Sequence, residues 1–196
     1  MARMGGRNRV REAKARVNTQ LVEYGIQNEG SEMRAHVCFV AKRIYLYPTQ
    51  SGIEAILTGR FPTAPAYQKD PETSTKIQTA EGYLVPPHKI RQCREVEIPR
   101  KLLLSFNVKE SDSETCKGNA AVEIVMFMLK TGRLPIFCDP EMVEDLDLQR
   151  NGEDILIRNL NMRIQVKCDY KGGPKQRGGT GNLYLQVKEC NPFGKH

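Results

Sequence analysis

Four residues in the C-terminal half of the chain have side chains and spacing that suit phosphodiester hydrolysis. Asp154 stands directly before an apolar Ile-Leu-Ile run, and Gln165 and Lys167 lie two positions apart in a later stretch that alternates apolar and polar residues. A two-residue spacing places both side chains on one face of a strand, about 6 to 7 Å apart. Glu123 is the only charged residue of the stretch 118–129, which has the length of a helix.

These side chains match the chemistry of a divalent metal site. A buried carboxylate is costly unless it meets a cation, so Glu123 is expected to join the Asp154 cluster. We predict that Glu123, Asp154 and Gln165 provide oxygen ligands to Mg²⁺ or Mn²⁺. Lys167 would stabilise charge on a phosphate or orient an attacking water, whose pKa the metal lowers. These four residues are the predicted catalytic set, and we expect them to converge on one ion.

Two adjacent strands would bring most of this set together. The stretches EDILIR and MRIQVKC are predicted strands joined by a short turn. Because directly paired residues share a face, Asp154 joins the polar face if it pairs with Gln165 or with Lys167. Asp147 remains an alternative metal ligand, if the first strand begins at that position instead.

The helical Glu, the DILI stretch and the RIQVK stretch together resemble the core of the PD-(D/E)xK nuclease superfamily, over residues 117–190. The resemblance is to the branch with Gln at the second acidic position, as in some homing and Mrr-type restriction nucleases. By position, Asp154 matches the metal-binding Asp and Lys167 the catalytic Lys. Gln165 stands where the family usually has Glu or Asp, and Glu123 matches the helical acid.

The resemblance implies a restriction-endonuclease-like fold, in which helices flank a mixed β-sheet. It also implies Mg²⁺-dependent endonuclease activity on DNA, of the restriction, homing or junction-resolving type, and often a homodimer. Two positions depart from the family: the amide of Gln165 is a weaker metal ligand than a carboxylate, and Glu153 stands where the family has Pro. A catalytically silent nucleic-acid-binding module with this fold is therefore the alternative, and a basic structural subunit of a nucleoprotein assembly is a third possibility.

Charge is distributed unevenly along the chain of 196 residues, whose formal net charge is +7. Residues 1–16 contain six basic residues and one acid, and residues 170–188 contain four basic residues and no acid. Residues 139–154 contain seven acids and one Arg. Two basic ends and an acidic patch suit a polyanion-binding surface around a metal centre. The predicted nucleic-acid contacts are Arg7, Arg9, Arg11, Lys171, Lys175 and Arg177.

The composition also indicates where such a protein would work. No apolar run reaches the roughly 18 residues that a membrane span needs, and no apolar segment follows the basic N-terminus as it does in a secretion signal. An intracellular protein is expected, in the cytoplasm, nucleoid or nucleus. The six cysteines stand far apart and form no CxxC pair, so neither a zinc site nor a disulfide framework is expected.

The elements predicted from periodicity indicate an α/β fold. A nuclease-like core is predicted at 111–196, after an α+β extension at 1–110 that would serve nucleic-acid binding or dimerisation. Residues 59–82, rich in Pro, Thr, Lys and Gln, are predicted as a long loop. The helix of the core is apolar all round, which indicates burial on most sides. The predicted helices are 8–24, 51–58 and 117–130. The predicted strands are 36–47, 94–98, 102–108, 133–138, 153–158, 162–168 and 182–189.

Overall fold

A computed structural model of the chain shows a mixed α/β protein. It describes residues 32–69, 76–134, 136, 140–144, 154–172 and 181–189. Nine β-strands and three α-helices follow one another within these residues. The strands are β1 Glu32–Cys38, β2 Arg43–Pro48, β3 Thr63–Lys69, β4 Lys76–Val85, β5 Arg94–Glu97, β6 Pro140–Met142, β7 Ile155–Ile157, β8 Met162–Asp169 and β9 Leu183–Glu189. The helices are α1 Thr49–Thr58, α2 Arg100–Phe106 and α3 Glu114–Lys130.

Six of the strands form one mixed sheet, in the order β5-β2-β1-β8-β7-β6. The central pair, β1 and β8, is parallel, and each of the other neighbouring pairs is antiparallel. Since β1, β2 and β5 come from the N-terminal half, the sheet crosses the boundary predicted at residue 110. The prediction of a mixed sheet in an α/β protein is confirmed at this level.

Helix α3 packs on one face of this sheet and forms the main core with it. The helix begins after Ser113, whose hydroxyl accepts a hydrogen bond from the Cys116 N–H at 3.1 Å and so caps the first turn. It ends before Gly132, whose φ of +65° lies in the left-handed region that favours glycine. The core between α3 and the sheet includes Met33, Ala35, Val37, Ile155, Ile157, Met162, Ile164, Ala121, Ile124, Val125 and Met128.

The opposite face of the sheet carries a smaller core, which lies over β1 and β2. Helix α1 and a second, antiparallel sheet in the order β3-β4-β9 provide most of its other members. This second core includes Tyr45, Tyr47, Ala55, Val85, Ile90, Leu183 and Leu185. None of its described members comes from β8, so the β8 side of this face keeps its polar residues.

Two regions of the N-terminal half differ from the sequence prediction. Residues 36–47 are not one strand, because the chain turns at 39–42, where Lys42 has a φ of 55°. Residues 59–82 are not a long loop, because most of them form the hairpin β3–β4. A register shift inside this hairpin breaks the regular alternation that would have marked it as strands.

Two strands predicted in the second half of the chain were also wrong. Residues 102–108 lie mainly in α2, which begins after Pro99. The Pro99 carbonyl accepts hydrogen bonds from the N–H groups of Leu102 and Leu103, which closes the first helical turn. The described residues of 133–138 contain no strand, and β6 follows this stretch instead.

The remaining described elements confirm the predictions, with shifts at their ends. These elements are α1, α3, β5, β7, β8 and β9. Strand β9 pairs in the second sheet, beside β4. Helix α3 is not buried on most sides as predicted, since Glu123 and Phe127 are exposed. The predicted helix 8–24 lies outside the described residues.

Candidate functional site

The register between β7 and β8 aligns Asp154 with Gln165. Ile155 pairs with Ile164 in this antiparallel pair, so the next position along sets Asp154 against Gln165. This is one of the two registers that the sequence predicts. The Asp154 N–H donates to the Ile164 carbonyl at 3.3 Å, which extends the contact with β8 one residue beyond β7.

The carboxylate of Asp154 is held against β8. Its Oδ2 accepts a hydrogen bond from the Val166 N–H at 2.6 Å. Burial raises the pKa of this carboxyl above its ordinary value, while the Val166 N–H and the positive charge of Lys167 oppose that rise. The carboxylate is thus half-buried, held in position by the Val166 N–H, and close enough to Lys167 for the two charges to interact. A desolvated carboxylate of this kind gains stability from a nearby cation.

Asp154 and Glu123 line the same cavity, which has a volume of about 270 Å³. Helix α3 contributes Asn119, Val122 and Glu123, and the edge of the sheet contributes Met142 and Asp154. Asn119 and Glu123 are four residues apart, so their side chains lie on the same side of α3. Two carboxylates and a neutral amide are oxygen groups that Mg²⁺ and Mn²⁺ accept as ligands.

Gln165 and Lys167 lie on the face of the sheet that is turned away from α3. Their neighbours Ile164 and Val166 pack with the α3 core, and strand alternation then places Gln165 and Lys167 on the opposite side. The predicted convergence of all four side chains from one side therefore needs correction. The apolar side of β8 packs against the apolar side of α3, so Gln165 and Lys167 lie on the other side of the sheet. Asp154, just before β7, lines the cavity on the α3 side and is also aligned with Gln165.

Strand β1 sets two further polar residues beside this pair. The parallel register places Arg34 next to Gln165 and His36 next to Lys167. His36 is buried, its ring nitrogens have no hydrogen-bond partner among the described residues, and its Nε2 lies 3.9 Å from Oδ2 of Asp169. Burial, followed by the charges of Arg34 and Lys167, lowers the pKa of His36 to about 3. The imidazole is therefore neutral at physiological pH.

Sequence reasoning missed Asn119, Arg34 and His36. The four-residue spacing between Asn119 and Glu123 on a helix was a signal that could have found the first. Polar residues alternate with apolar ones in the stretch EMRAHVC, which could have found the other two. The predicted strand began at residue 36 and so omitted most of this alternation.

Of the six predicted nucleic-acid contacts, Lys171 is the one within the described residues. Its Nζ forms an ion pair with Oε1 of Glu110 at 2.6 Å, and both side chains are exposed. The hydrogen bond to Glu110 raises the pKa of Lys171. Exposed ion pairs contribute little free energy, so the pair leaves Lys171 able to exchange Glu110 for a phosphate. Outside the described residues lie Arg7, Arg9, Arg11, Lys175 and Arg177, as does the alternative ligand Asp147.

A metal ion in the cavity would need more than the two carboxylates. Within the part of the chain that the structure describes, no group of three or more His, Cys, Asp and Glu is placed to hold a metal ion. Hard divalent cations commonly complete their coordination with amide oxygens and water. Asn119 lies in the cavity wall and could provide such an amide oxygen, whereas the side chain of Gln165 starts from the sheet face turned away from the cavity.

Comparison of the chain with protein-family models, with curated proteins and with solved structures finds no match in any of the three. No helix in the described ranges has the length and apolar character that crossing a membrane requires. The structure itself shows a mixed α/β protein with a group of polar residues at the end of the β7–β8 hairpin.

Proposed function

We propose that the protein is a Mg²⁺-dependent endonuclease that hydrolyses phosphodiester bonds of DNA. The observation that supports this proposal is that Asp154 lines one cavity with Glu123 and that, while burial raises the pKa of Asp154, the positive charge of Lys167 opposes that rise. These are three of the four residues through which the sequence resembles PD-(D/E)xK nucleases. The mixed sheet with helices against it is compatible with the restriction-endonuclease-like fold that the resemblance implies.

Each residue has a distinct role in this proposal. Glu123 and Asp154 would hold the metal ion, with the Asn119 amide beside them. Bound Mg²⁺ supplies Lewis acidity and a water of lowered pKa. Lys167 stabilises negative charge on the scissile phosphate. Gln165 is aligned with Asp154, but its side chain starts from the sheet face turned away from Glu123, so the predicted role of Gln165 as a metal ligand is not kept in this proposal.

The partners in this proposal come from the same resemblance. DNA is preferred over RNA as the substrate, and the protein works inside the cell. Cutting both strands of a duplex together requires two active sites, which favours a homodimer.

A catalytically silent nucleic-acid-binding module is the second candidate. Two observations favour it. Gln165 replaces a carboxylate with a weaker ligand, and the side chains of Gln165 and Lys167 start from the sheet face opposite Glu123. Such a module would bind nucleic acid through its cations without cutting it.

The test is cleavage of supercoiled plasmid and of branched DNA by the purified full-length protein, with Mg²⁺ or with EDTA. We expect cleavage with Mg²⁺ alone, and Asp154→Asn should lower its rate about 1,000-fold, because a lost metal ligand removes several kcal/mol of transition-state stabilisation. The matched control is Asp112→Asn, a half-buried acid that accepts a hydrogen bond from the Lys109 N–H and does not line the cavity. This control should retain the wild-type rate.

Thermal unfolding of each variant separates loss of chemistry from loss of the fold. Full cleavage by a folded Asp154→Asn variant would overturn the assignment of the site. Tight binding of DNA by the wild-type protein, with no cleavage under any divalent ion, would favour the silent module.

A further inference from the structure

The sheet face turned away from α3 carries a polar patch beside the proposed catalytic residues. We call it the basic shelf and define it by Arg34 of β1 and by Arg163, Gln165 and Lys167 of β8. We propose that the basic shelf holds the sugar–phosphate backbone of the bound DNA and that Arg34 is a direct phosphate contact. This inference rests on the proposed function, since it places the same substrate on a surface next to the same site.

The sheet register puts the members of the basic shelf side by side. Arg34 is the parallel-strand neighbour of Gln165, and Arg163 and Lys167 lie two positions before and after Gln165. All four share one face because residues two apart on a strand point the same way. Arg163 and Lys167 are about 13 Å apart along the strand, while each DNA strand carries one phosphate per roughly 3.4 Å of helix axis. The shelf is therefore long enough for more than one phosphate.

The basic shelf is most accessible at Arg163 and less accessible toward β1, where His36 is buried. Arg163 is exposed, and Arg34, Gln165 and Lys167 are half-buried. Helix α1 and the second sheet pack over β1 and β2, and no described member of that second core comes from β8. A duplex could therefore approach β8 from this side while the second core bounds it along β1.

No acid is the direct register partner of Arg34 on either neighbouring strand. Its register neighbours are the neutral residues Gln165 on β8 and Tyr47 on β2. Its buried Nε has no hydrogen-bond partner among the described residues. An unpaired buried donor costs free energy, which an anionic oxygen would recover. The planar guanidinium binds phosphate with two parallel hydrogen bonds.

The charges around His36 favour an anion at the same place. Arg34 and Lys167 both disfavour the protonated form of His36, so the two cations lie near one neutral ring and near each other. Like charges this close repel, and a phosphate between them would turn the repulsion into attraction. Three described acids flank the shelf: Glu32 pairs with Arg163, Asp154 is aligned with Gln165, and Asp169 lies near His36. Glu32 offsets part of the charge of Arg163 and Asp154 part of that of Lys167, so Arg34 is the phosphate contact that we propose as the principal one.

The cavity on the other side of Asp154 is unsuited to a polyanion. Its described lining contains Glu123 and Asp154 and no basic residue. Two carboxylates attract a divalent cation and repel phosphate unless that cation is bound. The arrangement thus assigns the metal to the cavity and the DNA backbone to the basic shelf, with Asp154 between them.

The experiment measures binding separately from cleavage. Binding of a fluorescein-labelled DNA duplex is followed by anisotropy in EDTA, at several salt concentrations, with the full-length protein. Arg34→Gln with Arg163→Gln should weaken binding at least about tenfold and reduce the slope of log K against log salt by about 1 for each lost phosphate contact. The matched control is Arg133→Gln, an exposed cation just beyond α3, which should leave affinity and slope unchanged.

The possible results separate the inference from the proposed function. Wild-type affinity and salt slope in a folded Arg34→Gln, Arg163→Gln variant would overturn the basic shelf, even if the protein cuts DNA. Weakened binding in this variant, with no cleavage by the wild-type protein, would support the shelf and remove the nuclease. A preference for RNA over DNA of the same sequence, or no binding of either by the wild-type protein, would also overturn the inference. Circular dichroism melting curves confirm that the variants are folded.

Discussion

The two faces of strand β8 are built from alternate residues of the same eight-residue stretch, yet they differ in nearly every property. The face toward α3 holds Met162 and Ile164, both fully buried in the main core. The other face holds Arg163, Gln165 and Lys167, exposed or half-buried. Burial of apolar area thus stabilises one face, and the other is left to interact with charged partners.

The comparison shows how a site can be assembled without weakening the core that supports it. Asp154 lines the cavity on the α3 side together with Glu123, is aligned in the register with Gln165 of the other face, and accepts a hydrogen bond from the β8 backbone. The main core fixes the β8 backbone, and the backbone in turn positions the carboxylate. The carboxylate can then act together with Glu123 on one side of the sheet and with Lys167 on the other. Substitutions on the two faces should accordingly have different consequences.

The largest expected difference is in stability between two adjacent residues. Ile164→Ala should lower the free energy of unfolding by about 2 to 5 kcal/mol, because it leaves a cavity under α3. Gln165→Ala on the other face should change it by about 0.5 kcal/mol or less. Urea denaturation of both variants measures the difference. Equal losses of unfolding free energy in the two variants would show that both faces of β8 contribute equally to stability.

The second prediction concerns pH and the buried imidazole beside Lys167. The pKa of His36 is lowered from 6.5 to about 3 in the folded protein, so below pH 6.5 the unfolded state binds a proton that the folded state does not. The free energy of unfolding should therefore decrease as the pH is lowered from 6.5 to about 3, by up to about 1.4 kcal/mol per pH unit. His36→Gln should make this dependence shallower.

The same pH series measured on both proteins isolates the contribution of His36. Asp169, whose pKa is raised by burial, titrates in both and cancels in the difference. Parallel curves for the wild-type protein and His36→Gln between pH 6.5 and 5 would show that the imidazole is protonated in the folded state.

The third prediction tests the cavity side of Asp154. Glu123→Gln should weaken Mg²⁺ binding about tenfold, or about 1.4 kcal/mol, because one of two carboxylates is lost. Isothermal titration calorimetry measures the affinity, and Asp112→Asn provides the control for loss of an acid outside the cavity. An unchanged affinity in Glu123→Gln would remove α3 from the metal site.

The smallest expected effect concerns the second core. The Tyr45 hydroxyl is buried and has no hydrogen-bond partner among the described residues. Tyr45→Phe removes this unpaired group and keeps the ring, so it should stabilise the protein by about 1 kcal/mol. A rise in melting temperature would confirm it. A fall would show that the hydroxyl has a partner in the folded protein.

Local pattern was sufficient for the elements with one clear period. The strand β8 could be predicted from its strict alternation and the helix α3 from its long apolar run, but a run that is apolar all round did not show which side of α3 is exposed. The turn at 39–42 could not, since it contains no Gly, Pro, Asn or Asp and places Lys42 at a positive φ. The hairpin β3–β4 was hidden by its polar composition and by its register shift.

For the candidate site too, local sequence pattern predicts the contacts within the hairpin but not the contacts between distant parts of the chain. The pairing of Asp154 with Gln165 follows from the hairpin and was among the predicted registers. The side on which Glu123 arrives depends on how α3 packs, and the apolar face of β8 decides that packing. Arg34 entered the site through the β1–β8 pair, which joins distant parts of the chain and leaves no local signal.

That parallel β1–β8 pair has a consequence for how the chain folds during synthesis. Strand β1 leaves the ribosome long before β8, yet Glu32 must pair with Arg163 before the centre of the sheet exists. Closing so long a loop is slow, and until it closes the edge of β1 is unpaired and prone to associate with other chains. We therefore expect newly made chains to depend on chaperones until translation has passed β8.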